Sequence, residues 1–358
     1  MAISQLSPKF LLLSFLLLTN CTKTPTDSTS QQNEQKTFAP NRGEKLFILG
    51  QANEQHLTDY LTFASGEPNP AGFAFYTSLS GTATQSDMAR YLNFLEDYPY
   101  SALQLGVWTG EIQWGRPGVY LDEVIDGKYD ANIQILAEAC KQLNRPIYLR
   151  FGYEFDGAHN AYPPEIYKEA YRYFVDKMRE HNVENVSYVW HSWGTTAYYD
   201  TVSYPDYYPE ISGIATQELW YPGDEYVDWV GLSIFGTGYG NLNQNQIIQY
   251  LINFAENHAK PVMLAETAAI KTTNQSDSDW SIPNTSWFEN VFSLIENNDV
   301  IRAFTYINVD WEGDNPTSTW GDTRIQASTN TVQNYWRTNL ETFIFADDNL
   351  YSTIGFSQ

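Results

Sequence analysis

Residues 146–157 read Pro146-Ile147-Tyr148-Leu149-Arg150-Phe151-Gly152-Tyr153-Glu154-Phe155-Asp156-Gly157, and the architecture of the whole chain can be worked out from them. The stretch begins as an apolar run that favours a strand and ends in a carboxylate among aromatic residues and glycines. Because side chains alternate faces along a strand, Arg150 and Glu154 are predicted to share one face. Burying two charges is costly unless they pair or take part in chemistry. A structural Arg–Glu pair and a functional site both remain open at this point.

Strand-like stretches recur along the rest of the chain, and eight of them can be identified: Lys45–Gly50, Ala71–Ser78, Ala102–Trp108, Ile147–Glu154, Val186–His191, Val227–Phe235, Val262–Glu266 and Ile301–Asn308. Helical periodicity separates several of them, over Ala131–Leu143, Pro164–His181, Gln246–His258 and Trp287–Asn297. The connection Thr195–Asp228 is rich in Pro and Tyr and is predicted to be mostly loop. Alternating strands and helices form a parallel sheet with right-handed crossovers. Eight such units, with no Gly-rich phosphate loop after the first strand, predict an α/β fold: a (β/α)8 TIM barrel that forms a single catalytic domain.

The carboxyl ends of the predicted strands carry the candidate functional residues. Active sites of such barrels lie at this face. Here the fourth strand ends at Glu154 and the seventh at Glu266, while His191, Asn308 and several aromatic residues end other strands. The sequence has no Gly-x-Ser-x-Gly elbow, no His-Glu-x-x-His motif and no cysteine-rich metal spacing. No metal or other cofactor is therefore expected.

Two carboxylates on opposite sides of a barrel mouth, with aromatic residues between them, are the components of a retaining glycosidase. One carboxyl must be protonated to donate to the leaving oxygen, and the other must be ionised to attack the anomeric carbon. The apolar neighbours Phe151, Tyr153 and Phe155 favour the neutral form of Glu154 and hence the acid/base role. Glu266 is then the nucleophile, and the two carboxyls are expected to lie about 5–5.5 Å apart.

The composition narrows the class of ligand. A formal net charge of −23 repels nucleic acid and polyanionic glycans and opposes an anionic membrane surface. A neutral polysaccharide is therefore the expected partner, and the protein is expected to be a monomer. The chain also has 11 Trp and 26 Tyr, whose polar tips need partners when buried. Some of these rings are expected to stack on sugars, with packing in the core as the alternative for each.

The first 40 residues are predicted to form an export signal and a tether. Residues 1–21 combine Lys9, the short apolar run Phe10–Leu18 and a lipobox-like sequence that ends at Cys21. The apolar run is too short to span a bilayer. Cys21 is the predicted lipidation site, although Asn20 departs from the small residue usual there, and ordinary secretion is the alternative. Residues 22–40, rich in Ser, Thr and Gln, are predicted to be a flexible tether, and residues 41–358 the catalytic domain. The protein is thus expected to be exported, as a lipoprotein of the outer membrane or cell surface or as a secreted enzyme.

Several longer motifs resemble glycoside hydrolase family 26, a retaining (β/α)8 family of clan A, and within it the branch of bacterial β-1,3-xylanases and mixed-linkage xylanases. The matching stretches are residues 145–157, Tyr221–Ser233, Lys260–Glu266, Phe304–Trp311, Trp320–Ala327 and Glu341–Gly355, and the resemblance runs from about Lys45 to the C-terminus. The resemblance implies Glu154 as acid/base and Glu266 as nucleophile. Family mannanases usually carry His just before the acid/base, where this chain has Tyr153. Many relatives place Tyr on strand six to bond the nucleophile; this chain has Ile234-Phe235 there, so Tyr239 or Tyr306 is expected to take that place.

The resemblance implies a retaining endo-glycoside hydrolase that cleaves β-1,3-linked or mixed β-1,3/1,4-linked xylan by double displacement. A β-1,3-glucanase, a β-mannanase and a non-catalytic glycan-binding lipoprotein are the alternatives. Trp311 matches the strand-eight Trp that floors the −1 subsite in this clan. Phe235 or Trp311 is expected to crowd the position where glucose carries a hydroxymethyl group that xylose lacks. The predicted substrate-binding residues are Trp108, Tyr153, Asp156, His191, Trp220, Phe235, Asn308, Trp311 and Trp320.

Overall fold

Eight parallel strands close into a barrel in chain order in this computed structural model. They are β1 (Leu46–Gly50), β2 (Gly72–Ser78), β3 (Ala102–Trp108), β4 (Ile147–Phe151), β5 (Val186–Ser192), β6 (Trp229–Phe235), β7 (Val262–Ala268) and β8 (Ile301–Ile307). The structure describes residues 36–50, 54–109, 117–197, 200–209, 216–235, 242–269, 287–311 and 321–357. Because β1 pairs with β8 as well as with β2, the sheet closes on itself and the predicted (β/α)8 barrel is confirmed.

Helices pack around the barrel: α1 (Glu54–Phe63), α2 (Ala83–Glu96), α3 (Val119–Ile125), α4 (Asp130–Leu143), α5 (Pro164–Glu180), α6 (Leu242–Asn257), α7 (Trp287–Glu296), α8 (Asn330–Leu340) and α9 (Leu350–Thr353). The four predicted helices correspond to α4–α7. The sequence periodicity does not predict α1 or α2, because their buried faces include His56 and Thr84 and the apolar repeat is weak. No helix within the described ranges is long and apolar enough to cross a membrane.

The largest departure from the predicted strands lies at the end of β4. The prediction extends this strand to Glu154, but the structure ends it at Phe151. Gly152 (φ +54°) and Glu154 (φ +53°) have left-handed backbone conformations, which a regular strand does not contain. Glycine adopts this conformation readily, whereas a glutamate does so at a cost of about 1–3 kcal/mol. Glu154 therefore belongs to a strained turn beyond the strand.

The amino-terminal end of the barrel is filled by segments from both ends of the described chain. Nε1 of Trp229 donates to the carbonyl of Thr37 (2.5 Å), and the hydroxyl of Tyr148 donates to the carbonyl of Phe38 (2.5 Å). The ring of Phe38 packs edge-on against Phe356 with a centroid separation of 5.4 Å. This packing leaves the carboxyl ends of the strands as the mouth of the barrel.

Candidate active site

Glu266 lies on β7 and is almost fully buried. Its Oε1 accepts a hydrogen bond from the hydroxyl of Tyr76 on β2 (2.6 Å) and pairs with Nη1 of Arg150 on β4. The guanidinium of Arg150 is fully buried and lies 5.1 Å from the ring of Tyr76 and 5.3 Å from that of Tyr153. A buried cation therefore balances the charge that Glu266 carries as a carboxylate.

The sequence does not identify these partners of Glu266. The expectation that Tyr306 bonds it is wrong, because the single hydroxyl hydrogen of Tyr306 is donated to the carbonyl of Thr323 at 2.7 Å. Tyr239 lies outside the described residues. The sequence feature that could have indicated these partners is Gly106 on β3. A Cβ at this position would lie 2.7 Å from the ring of Tyr76 and 3.2 Å from Nη2 of Arg150. Glycine thus leaves the space in which Tyr76 and Arg150 meet Glu266.

Glu154 follows β4, and its loop fixes both backbone and carboxyl. The side-chain amide of Asn160 donates to the carbonyls of Tyr153 (2.8 Å) and Glu154 (3.0 Å). Oε1 of Glu154 accepts from the hydroxyl of Ser233 on β6 at 2.6 Å, and Oε2 lies 2.7 Å from Nε2 of His159. The carboxyl is almost fully buried. Neither Ser233 nor His159 is among the residues predicted from the sequence.

His191 on β5 connects the two glutamates. Nη1 of Arg150 lies 3.1 Å from Nδ1 of His191, and Nε2 of His191 lies 2.9 Å from the hydroxyl of Ser233. A chain of contacts therefore runs from Glu266 through Arg150, His191 and Ser233 to Glu154. An irregularity in strand register just before Ser233 places it level with Glu266 on β7. Because His191 is fully buried and uses both ring nitrogens, the prediction that it binds substrate is wrong.

The carboxyl of Glu154 can hold a proton near neutral pH. Burial and then the charge of Glu266 raise its pKa to about 7, against opposing contributions from His159 and Ser233. Burial, followed by the charge of Arg150, lowers the pKa of His191 well below its ordinary value, so this ring is neutral at pH 7. A carboxyl whose pKa is near the working pH suits general acid and base catalysis.

Aromatic residues lie at the ends of several strands. The rings of Phe235 and Trp193 are 5.8 Å apart, and Trp108 lines a pocket of about 180 Å³ together with Tyr120 and Tyr129. Flat apolar faces of this kind can pack against sugar rings. Four of the predicted aromatic contacts are partly exposed, as a sugar platform requires: Trp108, Tyr153, Phe235 and Trp311.

Trp220 and Asp156 are not available to a substrate, and their predicted roles are corrected. Trp220 is fully buried, and its Nε1 donates to the carbonyl of Tyr162 at 2.8 Å. Asp156 is buried and accepts hydrogen bonds from the hydroxyl of Ser192 and the backbone N–H of Trp193, each at 2.7 Å. Trp220 is thus a core residue, and Asp156 fixes the chain where it leaves β5.

Two further predicted residues lie beyond the end of β8. Asn308 is fully buried and its Oδ1 accepts from the backbone N–H of Ile325 at 2.8 Å, so the prediction that it binds substrate is wrong. Nδ2 of Asn308 and Nε1 of Trp311 are buried donors without a hydrogen-bond partner among the described residues. Trp320 and Cys21 lie outside those residues. Within the same ranges, no group of three or more His, Cys, Asp and Glu side chains is placed to hold a metal ion.

The family model for glycosyl hydrolase family 26 matches residues 100–290. The chain belongs to glycosyl hydrolase family 26. It is 31 % identical over 321 residues to a β-1,3-xylanase of Vibrio sp, an alignment that covers 80 % of this chain and 64 % of that protein. It is 30 % identical over 353 residues to a β-1,3-xylanase of Alcaligenes sp, covering 89 % of this chain and 68 % of that one. The family expected from the sequence motifs is confirmed.

Solved structures of family 26 enzymes share the barrel. A β-mannanase from Bacteroides ovatus superposes with a TM-score of 0.61 at 16 % identity, covering 88 % of this chain and 95 % of that one. An endo-β-1,4-mannanase from Cellulomonas fimi gives a TM-score of 0.58 at 18 % identity, covering 85 % and 72 %. At such low identity the likeness concerns the fold and not the substrate.

Proposed function

We propose that this family 26 barrel is a retaining, endo-acting glycoside hydrolase that cleaves β-1,3-linked xylan. One observation carries the proposal: a single network of contacts joins Glu154 and Glu266 at the barrel mouth. The two β-1,3-xylanases that are 31 % and 30 % identical to this chain support the choice of substrate. Glu154 is the acid/base and Glu266 the nucleophile.

The reaction proceeds by double displacement. In the first step an oxygen of Glu266 bonds to the anomeric carbon, the glycosidic C–O bond breaks, and the proton of Glu154 passes to the leaving oxygen. In the second step Glu154 takes a proton from water, the water oxygen bonds to the anomeric carbon, and Glu266 leaves as a carboxylate. Tyr76 and Arg150 both bind Oε1 of Glu266. They stabilise the negative charge that returns to this carboxylate when it leaves.

Three further features agree with a neutral xylan as the substrate. The partly exposed rings of Trp108, Phe235 and Trp311 offer faces on which sugars can stack. Tyr153, in place of the His usual in family mannanases, favours a xylanase, and the net charge of −23 favours a neutral substrate.

The proposal is tested by initial rates of reducing-end release on β-1,3-xylan, mixed-linkage xylan, laminarin and glucomannan. β-1,3-Xylan is expected to be cleaved fastest, with mixed oligosaccharides appearing early and the β-anomer of the product appearing first in ¹H NMR spectra. Fastest release from laminarin would identify the enzyme as a β-1,3-glucanase, and fastest release from glucomannan would identify it as a β-mannanase. The α-anomer appearing first would refute retention, and binding without release would indicate a non-catalytic glycan-binding protein.

We also propose that the protein is exported as a monomer and anchored to the cell envelope through a lipid on Cys21, which follows a short apolar run near the N-terminus. Metabolic labelling with a radioactive fatty acid in an expressing bacterium is expected to label the wild-type protein but not Cys21→Ala. Unlabelled protein in the medium would support ordinary secretion.

A further inference from the structure

The directions of the hydrogen bonds around Glu154 follow from Arg150, because a guanidinium can only donate. Nδ1 of His191, 3.1 Å from Arg150, must accept. The neutral ring then carries its proton on Nε2, which donates to the hydroxyl oxygen of Ser233 at 2.9 Å. The single hydroxyl hydrogen of Ser233 is left for Oε1 of Glu154 at 2.6 Å. Each hydrogen between Nη1 of Arg150 and Oε1 of Glu154 thus has one acceptor along this chain.

Because Oε1 of Glu154 accepts the bond from Ser233, the acidic proton of Glu154 lies on Oε2. This oxygen is 2.7 Å from Nε2 of His159. His159 lies on the loop that follows β4, has 41 % of its side chain exposed, and packs edge-on against Trp193 at 4.9 Å. A Cβ on Gly157 would overlap the imidazole ring, so the glycine leaves room for it. His159 therefore covers the oxygen that delivers the proton.

We propose that His159 is a positioning residue for the acid/base, which caps Oε2 of Glu154 and shares its proton with that oxygen. In one form Glu154 is neutral and its O–H donates to an unprotonated Nε2 of His159. In the other form the proton has moved to Nε2, and an imidazolium faces a carboxylate. The transfer breaks one O–H bond and forms one N–H bond, so the number of protons in the pair is unchanged. This inference rests on the proposed role of Glu154.

The charges around the pair couple the two titrations. Other titratable groups that face the pair come from the same loop and from strands β4, β5 and β7: Tyr153, Asp156, Tyr162, Arg150, His191 and Glu266. Burial alone would lower the pKa of His159, but Glu154, and then Glu266 and Asp156, raise it overall. A charged His159 in turn lowers the pKa of Glu154. His159 thus limits the pH range in which Glu154 keeps its proton.

An NMR titration of the histidine rings tests the coupling without any substrate. The chain has 5 His, and His159→Gln removes one set of ring signals, which assigns that set in the wild-type spectrum. Replacing Glu154 by Gln is expected to lower the pKa of His159 by about one unit, because an opposite charge at hydrogen-bond distance is lost. An unchanged His159 titration in Glu154→Gln would overturn the proposal, whether or not the protein cleaves xylan.

The pH dependence of kcat/KM on β-1,3-xylan provides the second test. Gln at position 159 keeps a hydrogen-bonding group but no charge, so the alkaline limb is expected to move to higher pH by about one unit. The matched control is His258→Gln, since His258 also lies 2.7 Å from a carboxylate, that of Asp224 on the surface. The control is expected to leave the profile unchanged. An unmoved limb in His159→Gln would refute the inference, whereas absence of all glycan cleavage would refute the proposed function and leave the NMR result to decide on His159.

Discussion

Replacing Glu154 by glutamine is expected to stabilise the folded protein above neutral pH while removing the acid/base. Burial and then the charge of Glu266 raise the pKa of Glu154 from 4.5 to about 7. Because the folded pKa lies above the unfolded one, the stability contributed by the neutral carboxyl is fully present below about pH 4.5 and is lost as pH rises through 7. The difference between the two pKa values corresponds to about 3 kcal/mol.

Glutamine nearly preserves the shape and the contacts of the site. Its carbonyl oxygen can accept from Ser233, and its amide can donate to Nε2 of His159. It cannot ionise, so the variant avoids the cost of burying a charge. The free energy of unfolding of Glu154→Gln, relative to wild type, is expected to increase between pH 5 and pH 8 by about 3 kcal/mol at most.

Reversible urea unfolding followed by tryptophan fluorescence at several pH values measures this difference, with equal m values as the condition for comparing the two proteins. Glu123→Gln is a control of opposite sign, because hydrogen bonds from Lys128 and Tyr129 lower the pKa of Glu123. In the wild-type protein the ionised carboxyl of Glu123 stabilises the fold above the pKa it has in the unfolded chain. This stabilisation is lost as pH falls through the lower pKa of the folded state. Parallel pH curves for wild type and Glu154→Gln would refute the argument that burial and the charge of Glu266 outweigh the contacts of this carboxyl with His159 and Ser233.

Four further substitutions address the nucleophile, the cleft and the core. Glu266→Gln is expected to abolish turnover with a circular dichroism spectrum like that of wild type, and activity near the wild-type level would exclude Glu266 as nucleophile. Tyr76→Phe removes a hydrogen bond to a charged group, worth about 1.5–3 kcal/mol, so kcat/KM on xylan is expected to fall by about 10–100-fold; a change of less than about twofold would show that this bond is not used in the transition state. Trp311→Ala is expected to raise KM more than it changes kcat, because this ring is partly exposed. Trp220→Phe is expected to lower Tm with KM unchanged, because this ring is buried. A raised KM in Trp220→Phe, or an unchanged KM in Trp311→Ala, would contradict the placement of these two rings.

The barrel could be predicted from the sequence because its strands are short apolar runs bounded by turns. The bounds of β3, Ala102–Trp108, agree with the prediction at both ends. The end of β4 does not agree, since alternation of side chains carries no information about backbone torsion, and Gly152 and Glu154 leave the strand through positive φ. Arg150 and Glu154 nevertheless reach one site, through a turn and not through the shared strand face that predicted it.

The two glutamates could be found from strand ends, but their partners could not. Ser233 is 79 residues from Glu154, and Tyr76 is 190 residues from Glu266. Which side chains meet across a closed barrel depends on the register between strands, and the irregularity before Ser233 has no counterpart in the hydrophobic pattern. In the same way, the number of Trp residues predicts aromatic platforms, but only the structure separates the buried Trp220 from the partly exposed Trp311.

The unequal settings of the two glutamates themselves support their assigned roles. Glu266 lies on a regular strand and is paired with the buried cation of Arg150, so its negative charge is balanced in the resting protein. Glu154 is a non-glycine residue in left-handed backbone, and its buried carboxyl has a pKa raised to about 7. Backbone strain and a buried carboxyl whose charge Ser233 and His159 compensate only in part both reduce stability, and such features persist where they serve function. The carboxyl that must gain and lose a proton in each turnover is therefore the one whose charge is costly, and the carboxyl that must attack is the one whose charge is matched.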